Sequence, residues 1–400
     1  MYALRRVPER SPHGVFEVWE TDSGGDSSML GRLHALAGHD HWWFEACDGL
    51  HPSFFAGSVN GIFEGLPWFM DFVYPQGYLG RNFVRHVAPE LDAPSDLRRW
   101  GEGVALQSAV LFGGDLPGNL TLRQDGSVPR GTPNVVAPHD VPSQMTRLAD
   151  ASVDGGFPGS SAAGEQPKIT FRIAGGSALP GVEDRIAKFS PVVGTPASER
   201  QADLLICEHL ANRVLSGAGV AVADTEIVEA GGRVFLSSRR FDRHGESGRS
   251  GLIPISAPAW FLGTPQDTWS AAADTLVGAG LLFPEDAVLA RRLQAFGYGI
   301  GNSDMHLGNL SIGGSLRDGW ALAPVYDMCP MGYAPGPDGP RPEKRVVLDR
   351  SRLDPQTAGL CREFWESVAE DRRVSGGFRQ IAGEHALHLS AVHSPTYRLR

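Results

Sequence analysis

The alternation of apolar and polar positions in the middle of the chain predicts two strands, a helix and two further strands. Residues 168–173 alternate as a half-buried strand does, and residues 185–190 follow as its hairpin partner. A helix is predicted to begin after Thr195, which precedes a proline and can act as its N-cap. Residues 225–229 and 233–238 predict the last two strands.

Four parts that differ in composition and sequence pattern are predicted along the chain. Residues 1–125 form an N-terminal α+β unit, whose many aromatic residues pack in a core or, alternatively, line a groove for a partner. Residues 126–160 are rich in glycine and proline and predict a connector. Residues 161–250 predict a small β-rich lobe. Residues 251–400 predict a mostly helical lobe with a loop-rich stretch at 301–330, so the fold class is α+β.

Composition excludes several classes of protein. With 50 glycines and 29 prolines among 400 residues, the chain is unsuited to a coiled coil or a long helical array. Hydrophobic residues make up 42% of the chain, which is enough to bury real cores. The net charge of -10 argues against direct nucleic-acid binding, because such binding depends on clustered lysine and arginine.

The cysteines and the apolar segments indicate a reducing compartment. Four cysteines lie far apart, and none has the spacing of a zinc site. The N-terminus shows no secretory signal, and the longest uncharged run, residues 250–266, is interrupted by prolines and glycines. We therefore expect a soluble, cytoplasmic protein without a membrane partner.

The residues that carry chemistry lie in the run GNSDMHLGN at 301–309 and in APVYDM at 323–328. An aspartate followed five residues later by an asparagine, as in Asp304 and Asn309, is the spacing of a protein-kinase catalytic loop. Asp327 then fits a later metal ligand. Phosphoryl transfer needs a carboxylate that deprotonates the attacking hydroxyl and oxygen ligands for Mg²⁺, and these three side chains can provide both.

The cation that such a site needs on the nucleotide phosphates is predicted to come from an upstream strand. Lys188 lies in the second predicted strand, immediately before the helix that follows Thr195. Residues 159–168 precede the first strand and contain small residues that would let backbone N–H groups approach phosphate oxygens.

In these motifs the chain resembles the HipA family, the serine/threonine kinase toxins of bacterial toxin–antitoxin systems. Five ordered motifs carry the resemblance: SAAGEQPK at 161–168, KF at 188–189, RFDR at 240–243, GNSDMHLGN at 301–309 and APVYDM at 323–328. In the first unit, LPWFMD at 66–71, PQGYLGR at 75–81 and DLPGN at 115–119 are similar to the YjjJ-like subgroup.

The resemblance implies a protein-kinase-like bilobal fold that uses ATP and Mg²⁺ to phosphorylate protein serine or threonine. It implies that Asp304 is the catalytic base, that Asn309 and Asp327 hold Mg²⁺, and that Lys188 contacts phosphates. It also implies that Ser161 is autophosphorylated, although this residue could equally be a linker serine. The remaining nucleotide-binding positions that it implies are Gly164, Gln166, Lys168, Arg239, Phe241 and His306.

Some positions allow more than one interpretation. His306 is expected to pack beneath Asp304, with metal binding as the alternative. Arg239 and Phe241 are expected at the adenine hinge, although residues 239–244 could also form a basic surface patch or a salt-bridge cluster. Arg239 stands where many relatives carry glutamate. Glu208 is our first choice for the acid that orients Lys188, and Asp203 is the second.

The resemblance also implies partners. Family members phosphorylate an aminoacyl-tRNA synthetase and are neutralised by a DNA-binding antitoxin, so a protein substrate and an antitoxin are expected here.

Two other functions remain open. The first is a metal-dependent phosphoesterase or nuclease, suggested by the histidines at 306, 385 and 388. The second is a pseudokinase that only binds a partner.

Overall fold

A sheet of aromatic-rich strands dominates the N-terminal third of the computed structural model. The structure describes residues 5–8, 11–37, 40–131, 133–155, 164–175, 181–264, 267–336 and 346–390. Its first elements are strands β1 (Val15–Thr21), β2 (Ser27–Ala35), β3 (His41–Ala46) and β4 (Ile62–Glu64), helices α1 (Gly77–Val87) and α2 (Glu102–Phe112), and strand β5 (Leu120–Arg123). The strands form an antiparallel sheet in the order β4-β3-β2-β1-β5.

The aromatic residues of this first unit form a core, which confirms the first of the two predicted interpretations. The buried members are Trp42, Phe44, Phe54, Phe63, Trp68 and Phe69. Trp68 also makes an edge contact with Trp320, with ring centroids 5.8 Å apart. This core therefore continues into the C-terminal part of the chain, and the N-terminal unit packs on the rest of the molecule through apolar contacts.

The second sheet has the predicted order of strand, strand, helix, strand, strand. Its elements are β6 (Val135–Val136), α3 (Val141–Val153), β7 (Lys168–Ile173), β8 (Glu183–Phe189), α4 (Pro196–Gly217), β9 (Thr225–Ala230) and β10 (Arg233–Arg239). The sheet order is β6-β7-β8-β10-β9. Helix α4 begins as predicted, because Thr195 and Ser198 form a reciprocal capping box in front of its first turn.

The predicted connector at 126–160 contains regular structure, which the sequence interpretation missed. Strand β6 pairs parallel to β7, and helix α3 buries Met145 and Ala149 against the same sheet. The apolar positions of this helix are few and are separated by polar residues. The packing of α3 on the sheet therefore stabilises it more than its own periodicity does.

The remaining elements are two small sheets and the helices of the C-terminal lobe. They are strands β11 (Arg243–His244), β12 (Gly248–Arg249) and β13 (Gly251–Pro254), helices α5 (Ser256–Phe261), α6 (Trp269–Gly278) and α7 (Pro284–Gly299), strands β14 (Ser311–Ser315) and β15 (Gly319–Leu322), and helices α8 (Pro355–Glu370) and α9 (Gly376–Ser390). The stretch predicted as loop-rich thus carries the hairpin β14–β15. Among the described helices, none combines the length and apolar character that a membrane span requires.

A buried cluster of charges joins the N-terminal unit to the segment after β10. Arg240 and Arg243 both bind Asp115, at 2.9 and 3.0 Å, and both also bind Asp242. The carboxylate of Asp242 accepts a further hydrogen bond from the backbone N–H of Gly118. Burial alone would raise the pKa of Asp242, but the two arginines outweigh it and hold this pKa well below its usual range.

We predict that the substitution Asp242→Asn lowers the free energy of unfolding by about 3–5 kcal/mol, because it leaves buried arginine charge without compensation. Urea unfolding followed by circular dichroism measures the effect. Asp96→Asn is the matched control, since Asp96 pairs with Arg98 on the surface, and it should leave the midpoint nearly unchanged. If both variants unfolded at the wild-type midpoint, the buried cluster would contribute no net stability.

Candidate active site

A buried ion pair between the second sheet and helix α4 is the centre of the candidate site. The ammonium of Lys188, on β8, lies 2.7 Å from both carboxylate oxygens of Glu208, on α4. The side chain of Glu208 is only 3% exposed. Glu208 is therefore the acid that orients Lys188, as expected. The second choice, Asp203, instead binds the backbone N–H and the hydroxyl of Ser375.

Asp327 joins this pair from the helical lobe. Its carboxylate forms an ion pair with Lys188, and its backbone N–H donates to Glu208 Oε1 at 3.1 Å. Asp327 has a φ of 55°, a left-handed conformation that is uncommon for residues other than glycine. Such conformations persist where surrounding contacts impose them, and they are frequent at functional sites.

The loop before β14 holds Asp304 through its backbone. Asn302 Oδ1 accepts the N–H of Asp304 at 3.0 Å, while Asn309 Nδ2 donates to the carbonyl of Asp304 at 2.8 Å. Asn302 Nδ2 also donates to the carbonyl of Asp327 at 3.4 Å and so links the two acidic segments. With its backbone held on both sides, Asp304 leaves its carboxylate about half exposed (51%).

Sequence reasoning did not single out Asn302, although its motif was noticed. Its side chain accepts the N–H of the residue two positions later, which is an Asx turn. An asparagine two residues before a candidate catalytic aspartate is therefore the signal that could have identified it.

Cys329, two residues after Asp327, is a buried thiol. Burial raises the pKa of Cys329, the carboxylates of Glu208 and Asp304 raise it further, and the ammonium of Lys188 opposes them. Asn302 ties Asp304 to this region directly, because it accepts the N–H of Asp304 and donates to the carbonyl of Asp327. The structure therefore brings Asp304 to the same cleft as Lys188, Glu208 and Asp327.

The donor atoms in this cleft fit a magnesium ion. Asn309 is buried and uses its amide nitrogen on Asp304, and no hydrogen bond to its Oδ1 occurs among the described residues. That oxygen and the partly exposed carboxylate of Asp327 are the hard oxygen ligands that Mg²⁺ prefers.

The structure corrects the expectation for His306. Its side chain is 59% exposed and lies beside Asp304, with Nε2 3.9 Å from Oδ1, rather than packing beneath it. Its Nδ1 accepts the backbone N–H of Gly308, which fixes the ring at the start of a short helical turn. The backbone of His306 is anchored instead, because its carbonyl accepts the indole N–H of Trp269 at 2.9 Å.

The described end of the predicted phosphate loop, residues 164–168, reaches the strand position opposite Lys188. Lys168 pairs with Lys188 in the β7–β8 register, and burial together with the charge of Lys188 lowers the pKa of Lys168 to about 7. Gly164 has a φ of 99°, and a Cβ there would lie 2.5 Å from Lys168 Nζ, so a side chain would collide with the amine. Gln166 is partly buried, and Ser161 lies outside the described residues.

The predicted hinge is divided between surface and interior. Arg239 is exposed at the end of β10, where its N–H donates to the carbonyl of Asp224. Phe241 stacks on Tyr326, the neighbour of Asp327, with ring centroids 6.2 Å apart. The salt-bridge interpretation is correct for Arg240, which binds Asp115 and Asp242 in the interior. Within the described residues, the side chain of Arg239 forms no hydrogen bond or ion pair with the cleft residues.

Comparison with known proteins relates the chain to two family models and one curated relative. The model of the YjjJ-like toxin, middle domain, matches residues 13–127, and the model of the HipA-like C-terminal domain matches residues 160–386. Toxin YjjJ of Escherichia coli (strain K12) is 36% identical over 414 residues, which cover 100% of this chain and 88% of that protein.

One solved structure shows the same fold. A chain of the HipA, HipB and operator DNA complex of the Shewanella oneidensis MR-1 toxin–antitoxin system matches with a TM-score of 0.55 at 15% identity, covering 93% of this chain and 96% of that one. The proinflammatory kinase CtkA of Helicobacter pylori matches only with a TM-score of 0.36 at 12% identity, over 56% of this chain and 90% of its own. The HipA match confirms the predicted HipA-like, bilobal α+β fold, and this chain belongs to the HipA family, among the YjjJ-like toxins.

Proposed function

We propose that this toxin is a serine/threonine protein kinase that transfers the γ-phosphoryl group of ATP to a protein hydroxyl. The observation that carries the proposal is the contact of Lys188, held by Glu208, with Asp327, in a cleft that also contains Asp304 and Asn309. A cation, two carboxylates and an amide oxygen are the parts that phosphoryl transfer requires. Membership of the HipA family supports the same assignment.

Asp304 is proposed to act as the general base. Its backbone is fixed through Asn302 and Asn309, so its carboxylate has a defined position, yet about half of it remains open to an incoming substrate. It would accept the proton of the serine or threonine hydroxyl while the oxygen of that hydroxyl bonds to the γ-phosphorus and ADP leaves. A positioned base of this kind contributes about 10²–10⁴-fold to the rate.

Asn309 and Asp327 are proposed to hold Mg²⁺, and Lys188 to bind the nucleotide phosphates. Bound Mg²⁺ supplies positive charge that neutralises the phosphate oxygens. Glu208 contacts the ammonium of Lys188 with both oxygens, so the amine stays in the cleft even when Asp327 turns to a metal. Nucleotide contacts are further proposed for Gly164, Gln166, Lys168, Arg239, Phe241 and His306.

Regulation and partners follow from the family. We propose that Ser161 is an autophosphorylation site, that an aminoacyl-tRNA synthetase is a candidate substrate, and that a protein antitoxin neutralises the enzyme in the cytoplasm. The structural neighbour from Shewanella oneidensis MR-1 was solved in a complex of HipA with HipB and operator DNA, which supports an antitoxin partner for this chain.

The two alternative functions make different demands on the cleft. A metal-dependent phosphoesterase needs several ligands that clamp two metals. Within the described residues, no three histidine, cysteine, aspartate or glutamate side chains form such a group. His385, one of the histidines that suggested this alternative, binds the hydroxyl of Tyr333 and packs on Trp365. A pseudokinase would have the same cleft but would not transfer phosphoryl groups, so an activity assay separates it from a kinase.

We predict that Asp304→Asn and Asp327→Asn each lower phosphoryl transfer by about 10²–10⁴-fold without unfolding the protein, because one removes the base and the other a metal ligand. The measurement is ³²P incorporation from γ-labelled ATP into the proteins of a cell extract, and peptide mass spectrometry of the same reaction reports on Ser161. Asp274→Asn, an exposed acid paired with Arg291, is the charge-matched control and should label at the wild-type rate. Wild-type labelling by Asp304→Asn would remove the base assignment.

We also predict that ATP affinity falls by about tenfold as the pH rises from about 7 to 9, since the Lys168 ammonium that attracts phosphate is lost above its lowered pKa of about 7. The sign follows from the charge, because only the protonated amine binds an anion well. Calorimetric titration with Mg·ATP across this range measures the trend.

Lys168→Met should flatten this pH profile, whereas His306→Gln should retain it, because His306 is exposed and lies beside Asp304. An affinity in Lys168→Met that still falls with rising pH would assign the effect to another group.

A further inference from the structure

A polar cavity lies where the N-terminal sheet meets the hairpin of β11 and β12. The residues of the candidate active site do not line it. Its volume is about 300 Å³. The β1–β2 turn, strand β5 and the hairpin contribute to its walls, and the backbone N–H of Arg249 donates to the carbonyl of Asp22 across the junction. Four arginines line it: Arg123, Arg172, Arg243 and Arg249.

Two of these arginines are matched by acidic partners. Arg172 binds Asp184 with two nitrogens, at 3.0 and 2.8 Å. Arg243 binds Asp115 and Asp242 in the buried cluster described above. Their charges are therefore compensated by the protein itself.

The other two arginines have no carboxylate within ion-pair distance in the described part of the chain. Arg249 donates from Nη2 to the carbonyl of Gly114, while its Nη1 is buried without a hydrogen-bond partner among the described residues. Arg123 lies with its guanidinium 4.2 Å from the ring centroid of Trp19, and its Nε is likewise buried and unpartnered there. Burial and the nearby Arg243 and Arg240 lower the pKa of Arg249 to about 10, although the carboxylates of Asp115 and Asp242 oppose them.

Thr121, on the same strand as Arg123, has a third unpartnered group. Thr121 precedes Arg123 by two residues on β5, so both side chains lie on one face of the strand. The hydroxyl of Thr121 is buried without a hydrogen-bond partner in the described residues, and Thr121 lines the cavity. Buried polar groups are normally satisfied. These three groups belong to residues that line one polar cavity, so these residues have hydrogen-bonding capacity that the described protein groups do not use.

We propose that this cavity binds a phosphoryl oxyanion, held by Arg249, Arg123 and Thr121. A tetrahedral phosphoryl group offers several oxygens, and guanidinium groups bind it with strong charge-assisted hydrogen bonds. The bound anion joins β5 of the N-terminal unit to β12, only a few residues after the hinge segment. The same chemistry fits inorganic phosphate and a phosphate monoester.

The test is a thermal-shift and calorimetric titration of the full chain with potassium phosphate, against potassium chloride at equal ionic strength. Phosphate should raise the melting temperature of the wild type beyond the effect of chloride. Arg249→Gln should weaken binding by at least about tenfold, because a charge-assisted hydrogen bond is lost. Thr121→Val, which keeps shape and charge, should also weaken it and decides the matter if Arg249→Gln does not fold.

Two controls make the result specific. Arg98→Gln removes an equal charge from an exposed arginine elsewhere and should bind phosphate as the wild type does. O-phosphoserine is titrated in parallel, and tighter binding than phosphate would identify a monoester as the source, whereas weaker binding would identify the free ion. The proposal is overturned if phosphate acts no more strongly than chloride, if Thr121→Val binds unchanged, or if saturating Mg·ADP abolishes the response while Arg249→Gln keeps it.

Discussion

The buried ion pair of Lys188 and Glu208 is the interaction on which the cleft depends. If Lys188 or Glu208 moved away, the other would keep a buried charge without a partner, which is energetically costly. The pair therefore holds strand β8 and helix α4 together. Asp327 is attached to the same pair twice, through its carboxylate and through its backbone N–H. One pair of charges thus sets both the position of the candidate phosphate-binding amine and that of a candidate metal ligand.

A second set of buried charges relates the N-terminal unit to this cleft. Asp115 comes from the first unit, whereas Arg240, Asp242 and Arg243 follow β10, and the four side chains bind one another in the interior. Phe241 lies within this run and stacks on Tyr326 beside Asp327. Packed and charged contacts therefore connect the N-terminal unit to the candidate nucleotide cleft.

The sequence predicted the features that depend on short-range spacing of residues. The alternation at β7 and β8, the cap at Thr195 and the five-residue spacing of Asp304 and Asn309 are short-range patterns, and the structure has those elements where they were expected. It did not predict helix α3, whose stability comes from the sheet beneath it. The partners of Arg240 were also not predictable, because the distance in sequence to Asp115 is 125 residues. The predicted position of His306, beneath Asp304, was wrong, because a hydrogen bond from the N–H of Gly308 holds its ring at the surface.

The most direct test is a crystal structure of the protein with Mg²⁺ and a non-hydrolysable ATP analogue. Asn309 Oδ1 and the carboxylate of Asp327 should then lie about 2.0–2.1 Å from the metal. Lys188 should contact the phosphates while it keeps its pair with Glu208, and the carboxylate of Asp304 should face the γ-phosphate. A nucleotide bound outside this cleft, or a metal held by neither Asn309 nor Asp327, would contradict the proposed active site.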